Sequence, residues 1–480
     1  MAPTNTLEMG TIGLQEDARE LTRHEEQQLF LDAAKRGSEY LKGVRDRSPF
    51  PAEEAIERLR VLDTDLPRNP EDPFAILREL DEFGSPGTVA NSGGRYFGFV
   101  IGGALPAARA ATVLAAAWDQ NAGFRVLSPI GTFLEDISLG WLAKLLGLPA
   151  TAAGALVTGA TMANFTCLAA ARHELLRNLG WDVEADGLFG APEISVYVSE
   201  DSHTSVLKAL ALLGLGRARA TRLATNGQSR IVVSQLPKIE RPSIICVQAG
   251  DVNTGAFDDA SELCAWAHDS ASWVHVDGAF GLWAAASPRK SHLTAGFSEA
   301  DSWACDGHKW LNVPYDSGFA FVRRAEALRP AMAAEGAYLE LGQQREPSHY
   351  NPELSRRARG IEVWAAIRSL GRTGIAELID RTCDHAALFA KRLKSAGFEI
   401  LNEVVVNQVL VSFGSDAHTE AVAKALQREG TCWCGLTLWK GRRAMRISVS
   451  SWSTTTEDVE ASVAAMIGVE RIVREGSQRS

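Results

Sequence analysis

Residues 300–318 read Ala-Asp-Ser-Trp-Ala-Cys-Asp-Gly-His-Lys-Trp-Leu-Asn-Val-Pro-Tyr-Asp-Ser-Gly, with Lys309 at the centre. Residues 301–305 favour a β-strand, and the Asp306-Gly307 pair after them is typical of a tight turn. The pattern therefore places His308 and Lys309 at a strand end, where α/β sheets build their sites. Apolar neighbours are expected to shield the lysine partly from water, so that its amine can act as a nucleophile toward a carbonyl group. A solvated surface charge is the alternative interpretation of a single lysine.

A second stretch, upstream of the first, ends another predicted strand in a carboxylate. Residues 273–281 read Trp-Val-His-Val-Asp-Gly-Ala-Phe-Gly, so an apolar strand runs into Asp277 and small residues follow it. A carboxylate at a strand end, with space beside it for a flat ring, suits a partner for a protonated pyridine nitrogen. Together with Lys309, it favours a functional site over a surface charge.

The two motifs, His275-Val-Asp277 and Asp306-Gly-His-Lys309, resemble those of the group II pyridoxal-phosphate (PLP)-dependent decarboxylases. That family includes the aromatic amino acid, glutamate and diaminobutyrate decarboxylases, and the similarity runs over most of the chain. It implies a fold-type I enzyme and a homodimer that uses PLP to release CO2 from the α-carbon of an amino acid, leaving an amine. It also implies that Lys309 holds the cofactor covalently, that Asp277 faces the ring nitrogen and that His308 lies beside them.

A glycine turn upstream is a candidate phosphate site. Residues 156–165 read Leu-Val-Thr-Gly-Ala-Thr-Met-Ala-Asn-Phe and open a long helix, which presents free backbone N–H groups and the positive end of the helix dipole. A plain helix cap fits the pattern equally well. By resemblance to the family this turn is the phosphate loop, with contacts from Ala160, Thr161 and Met162 and with Asn164 close by.

Two more candidates follow predicted strands. His203 comes after the strand over residues 194–199, where an imidazole can stack on a cofactor ring and hydrogen-bond a substrate group; a capping or buried histidine is the alternative. The strand over residues 243–249 leads into a loop in which Asn253 either touches the cofactor or belongs to a structural turn. The resembled enzymes use the same order along the chain, which here is Thr161, His203, Asp277 and Lys309.

Candidates for substrate binding lie far apart in the sequence. By resemblance, Tyr96, Phe97 and Phe99 occupy the place where aromatic residues line the pocket of the substrate side chain, and a buried turn is the alternative. Arg446 is predicted on the second strand of a hairpin, between apolar neighbours. An inward-facing arginine needs an anion, which is either a substrate carboxylate, as in the family, or a structural partner.

Tyr338 bears on the outcome of the reaction. It lies in a polar stretch without periodicity, residues 334–352, which predicts a mobile loop that closes over the site. By resemblance it is the loop tyrosine that protonates the carbon left after CO2 departs; a packed surface tyrosine is the alternative. Since relatives with phenylalanine there form aldehydes, the tyrosine disfavours a decarboxylating oxidase or aldehyde synthase.

A carbon–carbon lyase is a further alternative. Many family members have Asn-Pro-His-Lys where this chain has Asp306-Gly-His-Lys309, and sphingosine-phosphate lyases carry an Asp-x-His-Lys version. Trp310 and Arg446 favour the decarboxylase, because a carboxylate must be held and a phosphorylated lipid would need a basic cluster. A non-catalytic protein of the same fold would be expected to lack the lysine or the aspartate, and both are present.

Composition indicates an ordinary globular protein of 480 residues, with 46% hydrophobic and 22% charged residues. A net charge of −10 argues against nucleic acid or an anionic membrane as partner. The seven cysteines lack CxxC spacing, and the closest pair, Cys432 and Cys434, is expected to point to opposite faces of a strand, so we expect reduced thiols and a cytoplasmic location. No metal site is expected. No membrane anchor is expected, since no apolar run approaches the ~18 residues of a span, and no secretory segment is expected, since residues 1–17 are polar.

The order of elements predicts an α/β fold. Strands alternate with helices from about residue 155 to 325, which predicts a mostly parallel sheet covered on both faces. We expect an N-terminal helical arm for dimerisation (residues 1–95), a large PLP-binding domain (96–370) and a small α+β domain (371–480). The helix of the arm, residues 21–44, has an apolar stripe that either lies on its own domain or packs on a second subunit.

Overall fold

The computed structural model describes residues 21–333 and 344–478. Its contacts divide the chain into two compact units, residues 1–90 and residues 91–480. The predicted boundary near residue 370 falls inside the second unit. There a long helix is interrupted at Gly371, whose φ of 62° and ψ of −179° lie outside the helical range. A positive φ of this size is available at low cost only to glycine.

The α-helices in the described part of the first unit, residues 21–90, are α1 (Arg23–Gly43), α2 (Glu53–Arg58) and α3 (Pro73–Glu79). The helix predicted over residues 21–44 is confirmed. Its start is fixed by a capping box, since the Thr22 hydroxyl accepts from the N–H of Glu25 and the Glu25 carboxylate accepts from the N–H of Thr22. Counting only described residues as neighbours, no side chain of α1 is buried. Its apolar stripe is therefore open.

The second unit is built on a seven-stranded sheet, and the predicted mostly parallel sheet is confirmed. The order of the strands is β1-β7-β6-β5-β4-β2-β3. Neighbours from β3 to β6 are parallel, whereas β7 is antiparallel to both β1 and β6. The strands are β1 (Ala153–Val157), β2 (Ser195–Ser199), β3 (Thr221–Leu223), β4 (Ser243–Gln248), β5 (Trp273–Asp277), β6 (Ser302–Asp306) and β7 (Gly318–Val322).

Helices cover both faces of this sheet. On one face α6, α8 and α10 pack on a core that contains Leu168, Leu210 and Leu328. On the other face α5, α9 and α11 pack on a core that contains Leu142 and Leu263. The helices are α4 (Pro106–Trp118), α5 (Pro129–Leu145), α6 (Ala160–Asn178), α7 (Val183–Asp186), α8 (Thr204–Leu212), α9 (Ala260–His268), α10 (Ala325–Met332) and α11 (Gly360–Ser395).

This topology gathers the carboxyl ends of six of the seven strands of this sheet at one edge. Strands β2, β3, β4, β5 and β6 run in the same direction. Strand β1 runs the same way as β6, because both are antiparallel to β7. The segments that follow these strands therefore lie at the carboxyl edge of the sheet, where α/β proteins bind ligands.

The C-terminal part is α+β, as predicted. An antiparallel sheet has the order β10-β11-β9-β8, with β8 (Glu399–Ile400), β9 (Gln408–Ser412), β10 (Gly435–Trp439) and β11 (Arg442–Ser448), and α13 (Thr456–Ser477) follows it. The sequence analysis missed α12 (Asp416–Glu429). Ser415, which caps this helix, and Gly430, which ends it with a φ of 87°, were the available signals.

The expectation for the closest cysteines was wrong. Cys432 and Cys434 are both buried, and their thiols are within hydrogen-bonding distance of each other. Residues two apart on an extended segment point to the same side, not to opposite sides. Burial raises the pKa of the Cys434 thiol. In the described part of the chain, no helix is both long enough and apolar enough to cross a bilayer.

Candidate active site

The turn after β6 fixes the position of Lys309. The next two residues, Trp310 and Leu311, are each 1% exposed, and the Trp310 indole N–H donates to the Thr382 hydroxyl at 2.8 Å. The segment that contains Gly102 packs closely against the turn, because a Cβ on Gly102 would lie 1.8 Å from the carbonyl oxygen of Lys309. The Lys309 side chain is 19% exposed, and its Nζ lies 3.1 Å from Oδ2 of Asp306. The backbone that carries the Lys309 amine is thus held in place by buried neighbours.

Asp277 is the last residue of β5 and is 6% exposed. Three neutral groups of the described residues donate to its carboxylate: the N–H of Ala279 at 3.2 Å, the Asn164 amide at 3.4 Å and the Ser205 hydroxyl at 3.5 Å. These donors orient the carboxylate, and within the described residues Asp277 forms no ion pair. The carboxylate is therefore available to a cation in the cavity beside it.

A buried histidine supports this arrangement from behind. His275 Nε2 lies 2.8 Å from Oδ1 of Asn164, and its Nδ1 lies 2.9 Å from the Ser302 hydroxyl. Burial lowers the pKa of His275 to about 4, so the ring is neutral at pH 7. Donation from Nε2 to the Asn164 oxygen leaves the amide N–H2 of Asn164 aimed at Asp277. The sequence analysis missed Ser205 and the supporting role of Asn164.

His203 caps α8. Its Nδ1 accepts from the N–H of Ser205 at 3.2 Å and lies 2.8 Å from the Ser205 hydroxyl. Part of the ring is open to the cavity, and burial of the rest lowers the pKa of His203. Because Nδ1 is an acceptor, the neutral ring carries its proton on Nε2. The capping role and a place in the site, given above as alternatives, are compatible.

Two cavities meet at Lys309. The first, here called the α6 cavity, has a volume of about 310 Å³ and lies at the start of α6, with Ser205 and Asp306 in its wall. The second, here called the Arg446 cavity, has a volume of about 440 Å³. They share His203, His308 and Lys309. Apart from these three, the α6 cavity is lined by the predicted residues Ala160, Thr161 and Met162, and the Arg446 cavity by Phe99, Asp277 and Arg446.

Other predicted residues lie elsewhere. Phe97 is 1% exposed and packs edge-to-face on Phe389 in the C-terminal core, so it does not line either cavity. Tyr96 stacks on Trp433 with ring centroids 4.9 Å apart. The backbone N–H of Asn253 donates to Oδ1 of Asp251 at 2.9 Å in a turn, and its side chain accepts from the Thr437 hydroxyl at 2.9 Å. Tyr338 lies outside the described residues.

Arg446 faces inward, as predicted, between the buried Met445 and Ile447 on β11. Within the described residues it forms no ion pair, and its guanidinium donates one long hydrogen bond, 3.4 Å to the carbonyl oxygen of Val252. Desolvation lowers the pKa of Arg446. A buried guanidinium with so few partners leaves donors for an incoming carboxylate.

His308 completes the wall that the two cavities share. Its ring stacks on Tyr315 with centroids 4.4 Å apart, and its Nδ1 accepts from the N–H of Ser317 at 3.2 Å. Burial lowers the pKa of His308. The ring is therefore mostly neutral at pH 7.

The residues at this edge fit PLP. An amine for the aldehyde carbon, a carboxylate for the ring nitrogen and a helix N-terminus for the phosphate surround the two cavities. The N–H of Ala160 already donates to Oδ1 of Asp306 at 2.6 Å. The phosphate is left with the N–H groups of Thr161 and Met162 and the Thr161 hydroxyl. In the described residues, no group of three or more His, Cys, Asp or Glu side chains is arranged to hold a metal ion.

Residues 56–414 match the family model described as the pyridoxal-dependent decarboxylase conserved domain. The chain belongs to this family. The decarboxylase is 28% identical over 374 residues to an aromatic-L-amino-acid decarboxylase of Bacillus atrophaeus, which covers 72% of this chain and 73% of that one. It is 26% identical over 421 residues to tryptophan decarboxylase 1 of Oryza sativa subsp. japonica, with coverage of 79% and 81%.

The fold of the decarboxylase is also found in solved structures. The crystal structure of Oryza sativa TDC with PLP and tryptamine superposes with a TM-score of 0.87, covering 95% of this chain and 99% of that one. The two chains are 22% identical, so the likeness concerns the fold alone. The predicted family and the fold-type I architecture are confirmed.

The predicted activity and cofactor are confirmed as well. The protein is a PLP-dependent amino acid decarboxylase, that is, a carboxy-lyase. These relatives give no support to the carbon–carbon lyase alternative. The roles of individual residues and the predicted domain limits stay predictions.

Proposed function

We propose that this decarboxylase acts on an amino acid with an aromatic side chain, and that Lys309, Asp277 and His203 are its catalytic residues. One observation carries the proposal. The cavity that contains these three side chains is also lined by Phe99, Phe280 and Tyr315. Flat apolar surfaces of this kind bind aromatic rings by stacking and edge contacts. The names of the two relatives, aromatic-L-amino-acid and tryptophan decarboxylase, support the same substrate class.

Each catalytic residue has a distinct task. Bound PLP supplies the conjugated ring that accepts the electron pair left when CO2 departs. Lys309 binds the cofactor through its amine. Asp277, oriented by its three neutral donors, keeps a proton on the ring nitrogen. His203 would stack on the ring of bound PLP and would present its Nε2–H to the substrate, because its Nδ1 accepts from the N–H of Ser205.

Two further residues bind the substrate. Arg446 holds the carboxylate, since its desolvated guanidinium has one long hydrogen bond within the described residues. Phe99 is 65% exposed and stacks on Trp433 with centroids 5.7 Å apart, so it offers a supported aromatic face to the ring of the substrate. Tyr338 stays the candidate for protonation of the α-carbon.

The proposal is tested with the PLP-loaded protein and a panel of the twenty amino acids. CO2, amine, aldehyde and peroxide are measured for each. We expect CO2 and amine in equal amounts, with kcat/KM highest for aromatic amino acids. A preference for an acidic or aliphatic substrate would contradict the substrate class. Aldehyde with peroxide would support the aldehyde synthase alternative.

The role of Lys309 is tested by Lys309→Ala. The variant is expected to lose the absorbance of lysine-bound cofactor and all CO2 release. Lys394→Ala removes an exposed lysine of α11 and is the matched control, with no expected effect. Retention of covalently bound cofactor by Lys309→Ala would refute the assignment.

We infer that the enzyme is a homodimer. Among the described residues, the apolar stripe of α1 has Phe30 44% and Leu31 52% exposed, and a second subunit would cover it. In the second unit, Trp118 and Phe133 are also largely exposed. Exposed apolar clusters of this kind indicate protein interfaces. Light scattering is expected to give twice the chain mass of 51.8 kDa; a monomer would contradict the inference.

We also infer a cytoplasmic, reducing location. All seven cysteines lie in the described residues as buried free thiols. Proteins of oxidising compartments more often pair their cysteines. Thiol titration of the unfolded protein, isolated without reductant, is expected to find seven free thiols per chain. A smaller number would argue against this location.

A further inference from the structure

We propose that Asp306 is a positioning residue whose carboxylate pairs with the amine of Lys309 and stabilises positive charge on that nitrogen, both when the amine is free and when it binds the cofactor. This inference rests on the proposed role of Lys309. It assigns a function to the residue at which this chain departs from the Asn-Pro-His-Lys form of the motif.

The carboxylate of Asp306 is held in one place. Asp306 is the last residue of β6 and is 1% exposed. Its backbone N–H donates to the carbonyl oxygen of Ala279 at 2.9 Å, and its carbonyl oxygen accepts from the Trp283 indole N–H at 2.9 Å. Its Oδ1 accepts from the N–H of Ala160, the first residue of α6, at 2.6 Å. The side chain is therefore fixed between the helix and the lysine.

Lys309 is the cation that balances this buried carboxylate. Its Nζ lies 3.1 Å from Oδ2 of Asp306. His308 Nε2 lies farther away, 3.6 Å from Oδ1, and burial lowers the pKa of His308, so this ring supplies little positive charge. A buried carboxylate without a cation would be costly, and the partial positive charge at the start of α6 balances it only in part. The geometry thus favours the pair of carboxylate and ammonium.

Other charged and titratable groups surround the pair but do not replace it. Asp277 is engaged by its own donors, and Arg446 carries the same charge as the ammonium and so opposes it. Asp306 is the acidic group in direct contact with the amine among the described residues. The titratable and charged groups that face this region are His203 before α8, Cys305 on β6, Asp277 on β5, His308 and Tyr315 in the turn after β6, and Arg446 on β11.

The pair has a consequence for substrate exchange. Lys309 would give up its bond to the cofactor carbon as the substrate nitrogen forms its own. The substrate ammonium would lose two protons in this exchange and the Lys309 nitrogen would take up two, so that Lys309 ends as an ammonium. Asp306 then stabilises the released amine in its protonated form, which is not a nucleophile. The exchange needs no oxidant or reductant. Asp306 thus keeps Lys309 from competing with the substrate for the same carbon.

The first test uses the neutral variant Asp306→Asn with bound PLP. The absorbance of the lysine-bound cofactor, which differs between its protonated and unprotonated forms, is titrated against pH. Removing an opposite charge in contact is expected to move the midpoint about 1–3 units toward lower pH. Glu299→Gln removes a charge from an exposed side chain just before β6 and is the matched control. Asp306→Glu is expected to restore the midpoint in part. An unchanged midpoint in Asp306→Asn would overturn the proposal.

The second test needs no cofactor. The rate at which an acylating reagent modifies Lys309 is measured against pH by mass spectrometry in the cofactor-free protein. In Asp306→Asn the midpoint is expected to move toward lower pH, and a midpoint equal to that of the parent would refute the pairing. If Lys309 does not bind PLP, the absorbance titration gives no signal while the labelling midpoint still shifts. The two failures are therefore distinguishable.

A second neutral variant controls for misfolding of Asp306→Asn. Asp306→Ser removes the charge and keeps a small polar side chain. Circular dichroism establishes which variants are folded, and each folded neutral variant is expected to show the lower midpoint. A folded neutral variant with the parental midpoint would exclude the proposed role.

Discussion

Replacing Asp277 by asparagine removes one negative charge from the Arg446 cavity and leaves the outline of the side chain unchanged. The parent carboxylate accepts from the N–H of Ala279, the Asn164 amide and the Ser205 hydroxyl. The asparagine has one acceptor oxygen, so it loses about one of these hydrogen bonds, worth about 1 kcal/mol. Relief of a buried charge offsets part of this loss. The cofactor-free variant is therefore expected to unfold at nearly the parental free energy.

The effect on catalysis is expected to be much larger. An opposite charge in contact raises the pKa of a basic nitrogen by about 1–3 units. Its loss lowers the protonated fraction of the ring nitrogen and weakens the electron acceptor. At 1.36 kcal/mol per unit this amounts to about 1.4–4 kcal/mol, or about 10- to 1000-fold in kcat.

The assay compares kcat with stability in the same preparation. CO2 release is measured at saturating PLP and substrate, and urea unfolding is followed by circular dichroism without PLP. Asp269→Asn removes an exposed charge after α9 and is the control, with no expected effect on either quantity. Parental kcat in Asp277→Asn would refute the assignment of this carboxylate to the ring nitrogen. A loss of stability that matches the loss of kcat would indicate a structural role instead.

Three further predictions concern stability and substrate binding. Burial lowers the pKa of His275 from 6.5 to about 4, so the folded state takes up this proton at lower pH than the unfolded state. The free energy of unfolding is therefore expected to fall by about 3 kcal/mol as the pH drops from 6.5 to 4. Urea unfolding of His275→Gln should lack this loss. Arg356 and Glu135 form a buried ion pair, so Arg356→Ala leaves a buried carboxylate without its cation. The free energy of unfolding in urea is expected to fall by about 3 kcal/mol in Arg356→Ala, and by less when Arg356→Met is combined with Glu135→Leu. Phe99 has a φ of 53°, which glycine adopts more readily than alanine. Phe99→Gly should therefore be about 1 kcal/mol more stable than Phe99→Ala, and equal stabilities would argue against backbone strain at this position. Both variants should show reduced kcat/KM for aromatic substrates.

The strand ends could be predicted from the sequence because they follow from local pattern and direction. An apolar strand that runs into a polar residue, as at Asp277 or before Lys309, places that residue at an edge of the sheet. Parallel strands share that edge, so the residues after them meet. The polar residue at a strand end is recognised from the local sequence, and the shared edge follows from the fold class alone.

The aromatic segment shows where local pattern fails. Phe99 and Val100 both have left-handed backbone, with φ of 53° and 57°. This conformation breaks the alternation of side chains that the pattern assumes. Phe97 therefore enters the C-terminal core, whereas Phe99 stays exposed at the Arg446 cavity. Neither residue type nor spacing distinguishes the two.

The supports of the site were missed for a different reason. The Asn164 amide reaches Asp277 across 113 residues of sequence, and the Ser205 hydroxyl reaches the same carboxylate across 72. Such pairs arise from tertiary packing and leave no periodic signal. Only the proximity of Ser205 to His203 in the sequence hinted at a shared role.

The two buried carboxylates of the site differ in their partners, and this difference separates their functions. Asp306 is neutralised by the Lys309 ammonium and by the start of α6, so it has little capacity for another cation. Asp277 is held by neutral donors alone, so its charge is not balanced by a cation within the described residues. A protonated ring nitrogen would supply that cation, and it would gain less from Asp306. The partners of each carboxylate, as well as the motif, therefore support the proposed assignment of Asp277 to the ring nitrogen.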